Sequence, residues 1–191
     1  MPGKQAKILS DQHIEDLLFF AGNTRQPDRN CAIVLLSMKA GLRAAEIANL
    51  TWDMVVGPTG QIGTAIELHD NAAKMGSGRT IPMHGQLRDT LVSLRRGEPA
   101  SGPVIRSERG GQMTPLSIVV WFARAFDALG LDGCSSHSGR RTFITRAARA
   151  VHQAGGSLRD VQLLAGHRSI QTTQRYIHGD SDAQRRLVSL I

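Results

Sequence analysis

The stretch LLAGHRSIQTTQRYIH, residues 163–178, carries the chain's single tyrosine, Tyr176. Gly166 reads as a helix stop, and His167 follows it at once, nine residues before Tyr176. Thr172 and Thr173 place two hydroxyls between them, and Arg168 and Arg175 put guanidinium groups on either side. A lone tyrosine is in general an amphipathic core or surface residue. A phenol set among arginines and histidines, however, is also where a hydroxyl can meet a phosphate.

Charge outside this stretch points the same way. The formal net charge is +7 and the pI about 10.4, a balance that suits a polyanionic partner such as nucleic acid. From residue 137 to the end there are nine arginines and three aspartates with no lysine or glutamate, an excess of six positive charges in the part that holds Tyr176. Arginine also far outnumbers lysine along the whole chain. Bidentate phosphate recognition and a GC-rich genome both account for that ratio, but only the first accounts for the clustering.

At 191 residues the chain is long enough for one domain with a core of its own. It has no apolar run near the roughly 20 residues a membrane span needs, and residues 1–7 do not read as a signal peptide. The two cysteines, Cys31 and Cys134, lack metal-ligand spacing, and Cys31 sits in an apolar run as a small core residue. The seven histidines form no HExxH pattern and no acidic triad stands out, so no metal or other cofactor is expected. A reduced, cytoplasmic protein is the simplest reading.

In chain order, Ser10-Asp11 caps a helix with Ile14, Leu17, Leu18 and Ala21 on one face, ending at Gly22. A polar loop over residues 23–30 precedes a second helix, 31–40, which stops at Gly41. A third starts near Arg43, with Ile47 and Leu50 facing inward. Residues 52–56, 64–68 and 79–83 read as short strands, the last two forming a hairpin whose loop holds Lys74, Gly76 and Gly78. Helical pattern returns over 86–96, and Thr114-Pro115 opens another helix through Val119, Phe122 and Phe126 to Gly130. The next helix begins near Ser138 and carries Ile144, Ala147, Ala148 and Val151. Ser157 and Asp160 form a capping box for a helix closed by Gly166, and a last helix holds Tyr176. The expected fold is α+β, mainly helical, with a small antiparallel sheet.

His137 and Arg140 stand three apart at a helix start, so both can face one anion, with the helix N-terminus adding partial positive charge. The pair alone fits a capping histidine beside a surface arginine equally well, and Lys74 alone fits a solvated turn. Taken in order, though, Gly41-Leu42-Arg43 with Glu46, Lys74, His137-x-x-Arg140, Gly166-His167 and Tyr176 resemble the catalytic domain of the tyrosine recombinases, the phage-integrase family. Leu50-Thr51-Trp52, Arg79, Pro82 and the quoted stretch extend the likeness from about residue 10 to residue 178.

The resemblance implies a site-specific recombinase or integrase that cuts and rejoins DNA through a 3′-phosphotyrosyl intermediate, without metal or cofactor. Tyr176 would be the nucleophile; a phenol ionises near pH 10, so its attack needs nearby positive charge or a base. Arg43 and Arg140 would hold the non-bridging oxygens. His137 would share the tyrosine proton, His167 would hydrogen-bond the phosphate, Lys74 would protonate the leaving 5′ oxygen, and Glu46 would orient the arginines. Double-stranded DNA is the implied partner, bound by a homo-tetramer that is monomeric when free, with the apolar tail at 187–191 docking onto a neighbour or packing on its own core.

Gly139 and Arg141 depart from the family's pattern, which often has leucine and histidine there; the glycine should loosen its helix, and neither should touch the reactive set. Residues 1–191 are expected to form a single catalytic domain, with no N-terminal clamp domain in this chain. Two alternatives remain: a type IB topoisomerase-like enzyme that only relaxes DNA, and a non-catalytic DNA-binding regulator on the same fold.

Overall fold

A computed structural model describes residues 6–73, 76–96, 101–176 and 188–189. Helix α1, Asp11–Gly22, starts where expected: the Ser10 hydroxyl accepts the His13 amide, and the His13 ring accepts the Ser10 amide in return. Helix α2, Pro27–Lys39, begins four residues earlier than the reading that started it at Cys31, because Pro27 supplies a preorganised first helical position. Its residues 32–38 are all buried, which fits a helix surrounded by α1 and, as described below, by three later helices.

Gly41, with φ at 65°, turns the chain into α3, Ala44–Ala48. Residues 52–56 are not a strand. Trp52–Met54 forms a 3-10 turn instead, its Met54 amide donating to the Thr51 carbonyl and the Val55 amide to that of Trp52. Adjacent Met54 and Val55 are both buried, where a strand would turn one outward. Strands β1, Ala65–Leu68, and β2, Arg79–Pro82, pair antiparallel with Ile66 opposite Ile81. Lys74 in the hairpin loop lies outside the described residues.

Helices α4, Gly85–Arg95, and α5, Pro115–Ala128, complete the main core, α4 against α2 and α5 against α3 and α1. On α5 it is Ile118, Phe122, Ala125 and Phe126 that face inward; Val119, expected with them, is 38% exposed. Helix α6, Ser138–Ala150, packs on α2 and α7, Leu158–Ala165. The capping box of Ser157 and Asp160 opens α7 and left-handed Gly166 ends it, both as read from the sequence. Helix α8, Ile170–Gln174, stops two residues short of Tyr176, whose amide closes a turn onto the Thr173 carbonyl. Of the tail at 187–191, only residues 188 and 189 are described. Among the described residues no helix is long and apolar enough to cross a membrane.

Ile144, Ala148, Val151, Val161 and Ala165 form a second, smaller core between α6 and α7, with Phe143 and Tyr176 packed against it. Besides hydrogen bonds from the Leu9 amide to Thr142 and from Arg140 to the Gly41 carbonyl, helix α6 meets the main core closely at Gly139, against α2. A Cβ there would fall inside 3 Å of the Ser37 hydroxyl and 2.9 Å from the Met38 sulfur, so the glycine tightens the α2–α6 crossing rather than loosening it. Gly139→Leu, which restores the family's usual residue, is expected to lower unfolding free energy by about 1–3 kcal/mol through overpacking, read from urea denaturation. That is the opposite of the sign that helix propensity alone would give.

Candidate active site

The organising group is a carboxylate. Glu46 is fully buried in the third residue of α3, and one of its oxygens accepts the Arg43 amide at 2.9 Å. Three guanidinium groups gather round it. Arg43 Nη1 donates to Oε1 at 2.6 Å, Arg79 reaches both oxygens at 3.2 and 3.1 Å, and Arg140 Nη1 lies 4.0 Å from Oε2. Burial alone would raise the Glu46 carboxyl, but the hydrogen bonds and charge of Arg79 and Arg43 outweigh it and hold the group below the usual carboxylate range. Three cations around one anion leave two positive charges in excess.

Arg140 is nearly enclosed, with 6% of its side chain exposed. Its Nη1 donates to the Gly41 carbonyl at 2.6 Å and its Nη2 to the Ala165 carbonyl. Burial and the charge of Arg43, partly offset by Glu46, push it down to about 10, so it remains a cation at neutral pH.

The end of α7 explains why arginines collect here. The last four carbonyls of a helix have no partner within it. At Gly166 a Schellman turn pairs two of them, with the His167 amide donating to Gln162 and the Gly166 amide to Leu163. The remaining two, Leu164 and Ala165, are taken by Arg79 Nε at 2.8 Å and by Arg140. Cations are favoured at this negative end of the helix dipole.

His167 leaves this turn with Nδ1 2.9 Å from the buried Thr173 hydroxyl and its ring stacked on Tyr176, centroids 5.6 Å apart at 25°. Desolvation first, then the charges of Arg140, Arg43 and Arg79, push the imidazole down to about 4. It is therefore neutral at pH 7. Nδ1 and the Thr173 hydroxyl share a hydrogen bond, which the tautomer with its proton on Nε2 enters as acceptor.

A cleft of about 440 Å³ opens over these groups, lined by Arg43, His137, Arg140, His167 and Tyr176. His137 is exposed at the mouth, at the start of α6. The structure thus brings together five of the six residues named from sequence, with Glu46 beneath them; the sixth, Lys74, is not described. Two more arginines line the cleft, Arg141 and Arg175, together with Ala6, Ser135 and Thr172. Arg141 is therefore not remote from the reactive set, as its mismatch with the family's pattern implied: helix geometry carries it to the wall beside His137. Arg79's hold on Glu46 was also not legible, because the two are 33 positions apart. Among the described residues no three His, Cys, Asp or Glu side chains gather as a metal-binding group.

The model for the phage integrase family matches residues 7–182. This chain belongs to that family. Among its relatives, the tyrosine recombinase XerC of Rhizobium meliloti is 32% identical over 158 residues, 80% of this chain and 46% of that protein. XerD of Vibrio vulnificus is 28% identical over 189 residues, 93% of this chain and 58% of that protein. The chain thus spans about half the length of the curated relatives it matches. Its fold is that of the Tn1549 transposon integrase, solved in complex with a circular intermediate DNA, with a TM-score of 0.78 at 18% identity over 100% of this chain and 67% of that one. XerA recombinase superposes with a TM-score of 0.73 at 22% identity, over 100% and 65%.

Two outcomes test the electrostatics. Glu46→Ala, which strands buried arginines, is expected to cost about 3–5 kcal/mol of stability by chemical denaturation. Because the folded imidazole of His167 binds its proton less readily than the unfolded one, its contribution is complete above pH 6.5 and is lost as pH falls toward about 4. An NMR titration should find His167 protonating near pH 4, and His167→Asn should flatten the loss of stability between pH 6.5 and 4.5.

Proposed function

We propose that residues 1–191 form a catalytic domain that cuts and rejoins double-stranded DNA as a site-specific recombinase, through a covalent 3′-phosphotyrosyl intermediate. The observation that carries this reading is the convergence of Arg43, Arg140, His137, His167 and Tyr176 on one cleft over a buried carboxylate. The excess of two positive charges suits the doubly charged pentacoordinate phosphorus that develops as a phosphodiester is attacked.

In the proposed step the Tyr176 oxygen attacks phosphorus and the bond to the 5′ oxygen breaks. Arg43 and Arg140 hold the non-bridging oxygens. Each terminal nitrogen of Arg140 carries a second N–H beyond the one spent on a backbone carbonyl. His167 donates from Nε2, a role its lowered pKa supports, since a neutral imidazole adds a hydrogen bond without repelling its arginine neighbours. His137, at the open mouth, accepts the phenolic proton. Lys74 is assigned by family resemblance alone to protonate the leaving 5′ oxygen. The phosphotyrosyl ester keeps the energy of the broken bond, so a 5′ hydroxyl rejoins by the reverse reaction. A homo-tetramer on two duplexes, acting on DNA in the cytoplasm, completes the proposal; the likeness to recombinases and to an integrase solved with DNA supports its DNA partner.

Covalent trapping tests it. Protein incubated with fragmented genomic DNA in EDTA and denatured in SDS is expected to carry DNA by a 3′ end, and Tyr176→Phe should abolish the adduct. Arg43→Ala and Arg140→Ala should each slow its formation by about 10²–10³-fold. Binding without an adduct in the wild type would favour a regulator, and relaxed supercoils without recombinant joints a topoisomerase.

A further inference from the structure

Arg79 is absent from the lining of the Tyr176 cleft, yet it binds the framework beneath it at three places. It sits at the start of β2 with 7% of its side chain exposed. Its guanidinium spans Glu46 with two nitrogens, Nη1 to Oε1 at 3.2 Å and Nη2 to Oε2 at 3.1 Å. Its Nε donates to the Leu164 carbonyl at 2.8 Å, and Nη1 also lies 3.3 Å from the Ser77 carbonyl. These contacts reach α3, the end of α7 and the stem of the hairpin loop.

We propose that Arg79 is a positioning residue for strand cleavage, an inference that rests on the recombinase reading: it fixes Arg43, through Glu46, and the His167 turn, through Leu164, at one separation. The planar fork is what allows this. A lysine ammonium keeps the charge but cannot span a carboxylate and a helix-end carbonyl together. Gly166 is fitted to the same group, for a Cβ there would stand 2.8 Å from Arg79 Nη1. Arg43, whose amide and guanidinium both bond Glu46, then inherits its orientation from a residue on the sheet. The Ser77 contact ties the loop that carries Lys74 to the same point.

Arg79→Lys is the test. In the free protein the Arg43 amide, held by Glu46, is expected to exchange with D₂O at least about tenfold faster, and the His167 imidazole resonances, set by the stacked Tyr176 ring, should shift. In the adduct assay the single-turnover rate should fall by about tenfold or more while affinity for the same DNA is retained. Exchange and imidazole signals like those of the wild type overturn the proposal, as does a rate loss matched by an equal loss of DNA affinity. If wild-type protein forms no adduct, the recombinase reading fails, and the exchange and imidazole measurements still decide whether Arg79 sets these groups. Should Arg79→Lys not fold, the double variant Arg79→Gln with Glu46→Gln removes both buried charges; an unshifted His167 imidazole in it counts against the proposal.

Discussion

A carboxylate taken fully out of water is stable only if its charge is met, and the elements beneath the Tyr176 cleft are arranged around meeting that of Glu46. Its partners come from the start of α3, from β2 and from α6, at positions 43, 79 and 140. Replacing such a cluster with hydrocarbon often costs nothing in stability, so stability does not explain it. What the cluster provides is location. Guanidinium groups that would otherwise sweep through solvent are held by hydrogen bonds to Glu46 and to backbone carbonyls, and a surplus of charge faces the cleft.

Backbone does much of the holding. Arg140 is suspended between the carbonyls of Gly41 and Ala165, one at the exit of α2 and one at the end of α7. Each lies at or beside a glycine in the left-handed region, Gly41 at 65° and Gly166 at 61°. At each a side chain would also collide, with Phe143 in the first case and Arg79 in the second. The glycines that punctuate the sequence are thus also what lets carbonyls point inward at arginines.

Local signals were legible because they act within one turn. Ser10, Thr114, Ser157 with Asp160, and Gly166 stop or start helices through contacts three or four residues away, and the structure agrees at each. Pro27 was an equally local signal, masked by the polar residues around it. Residues 52–56 misled because Trp52 and Met54 are buried on either side of exposed Asp53, as in a strand, and only the adjacent burial of Val55 breaks the period. Gly139 misled for the opposite reason. Its meaning lies about a hundred residues away, in Ser37 and Met38, and no pattern within α6 reveals how closely α2 approaches. The candidate site was readable as an ordered set of residue types. The pairing of Glu46 with Arg79 was not, since it depends on β2 folding back beside α3.

Tyr176 rests not on the main core but on the small one shared by α6 and α7. Few buried contacts mean a low opening free energy, so the segment bearing the hydroxyl can detach while α2 and its neighbours stay folded. The fraction of molecules with Tyr176 seated in the cleft is then set by an equilibrium constant of its own. Anything that presses on α7 or α8 from outside tunes that constant without touching the arginines.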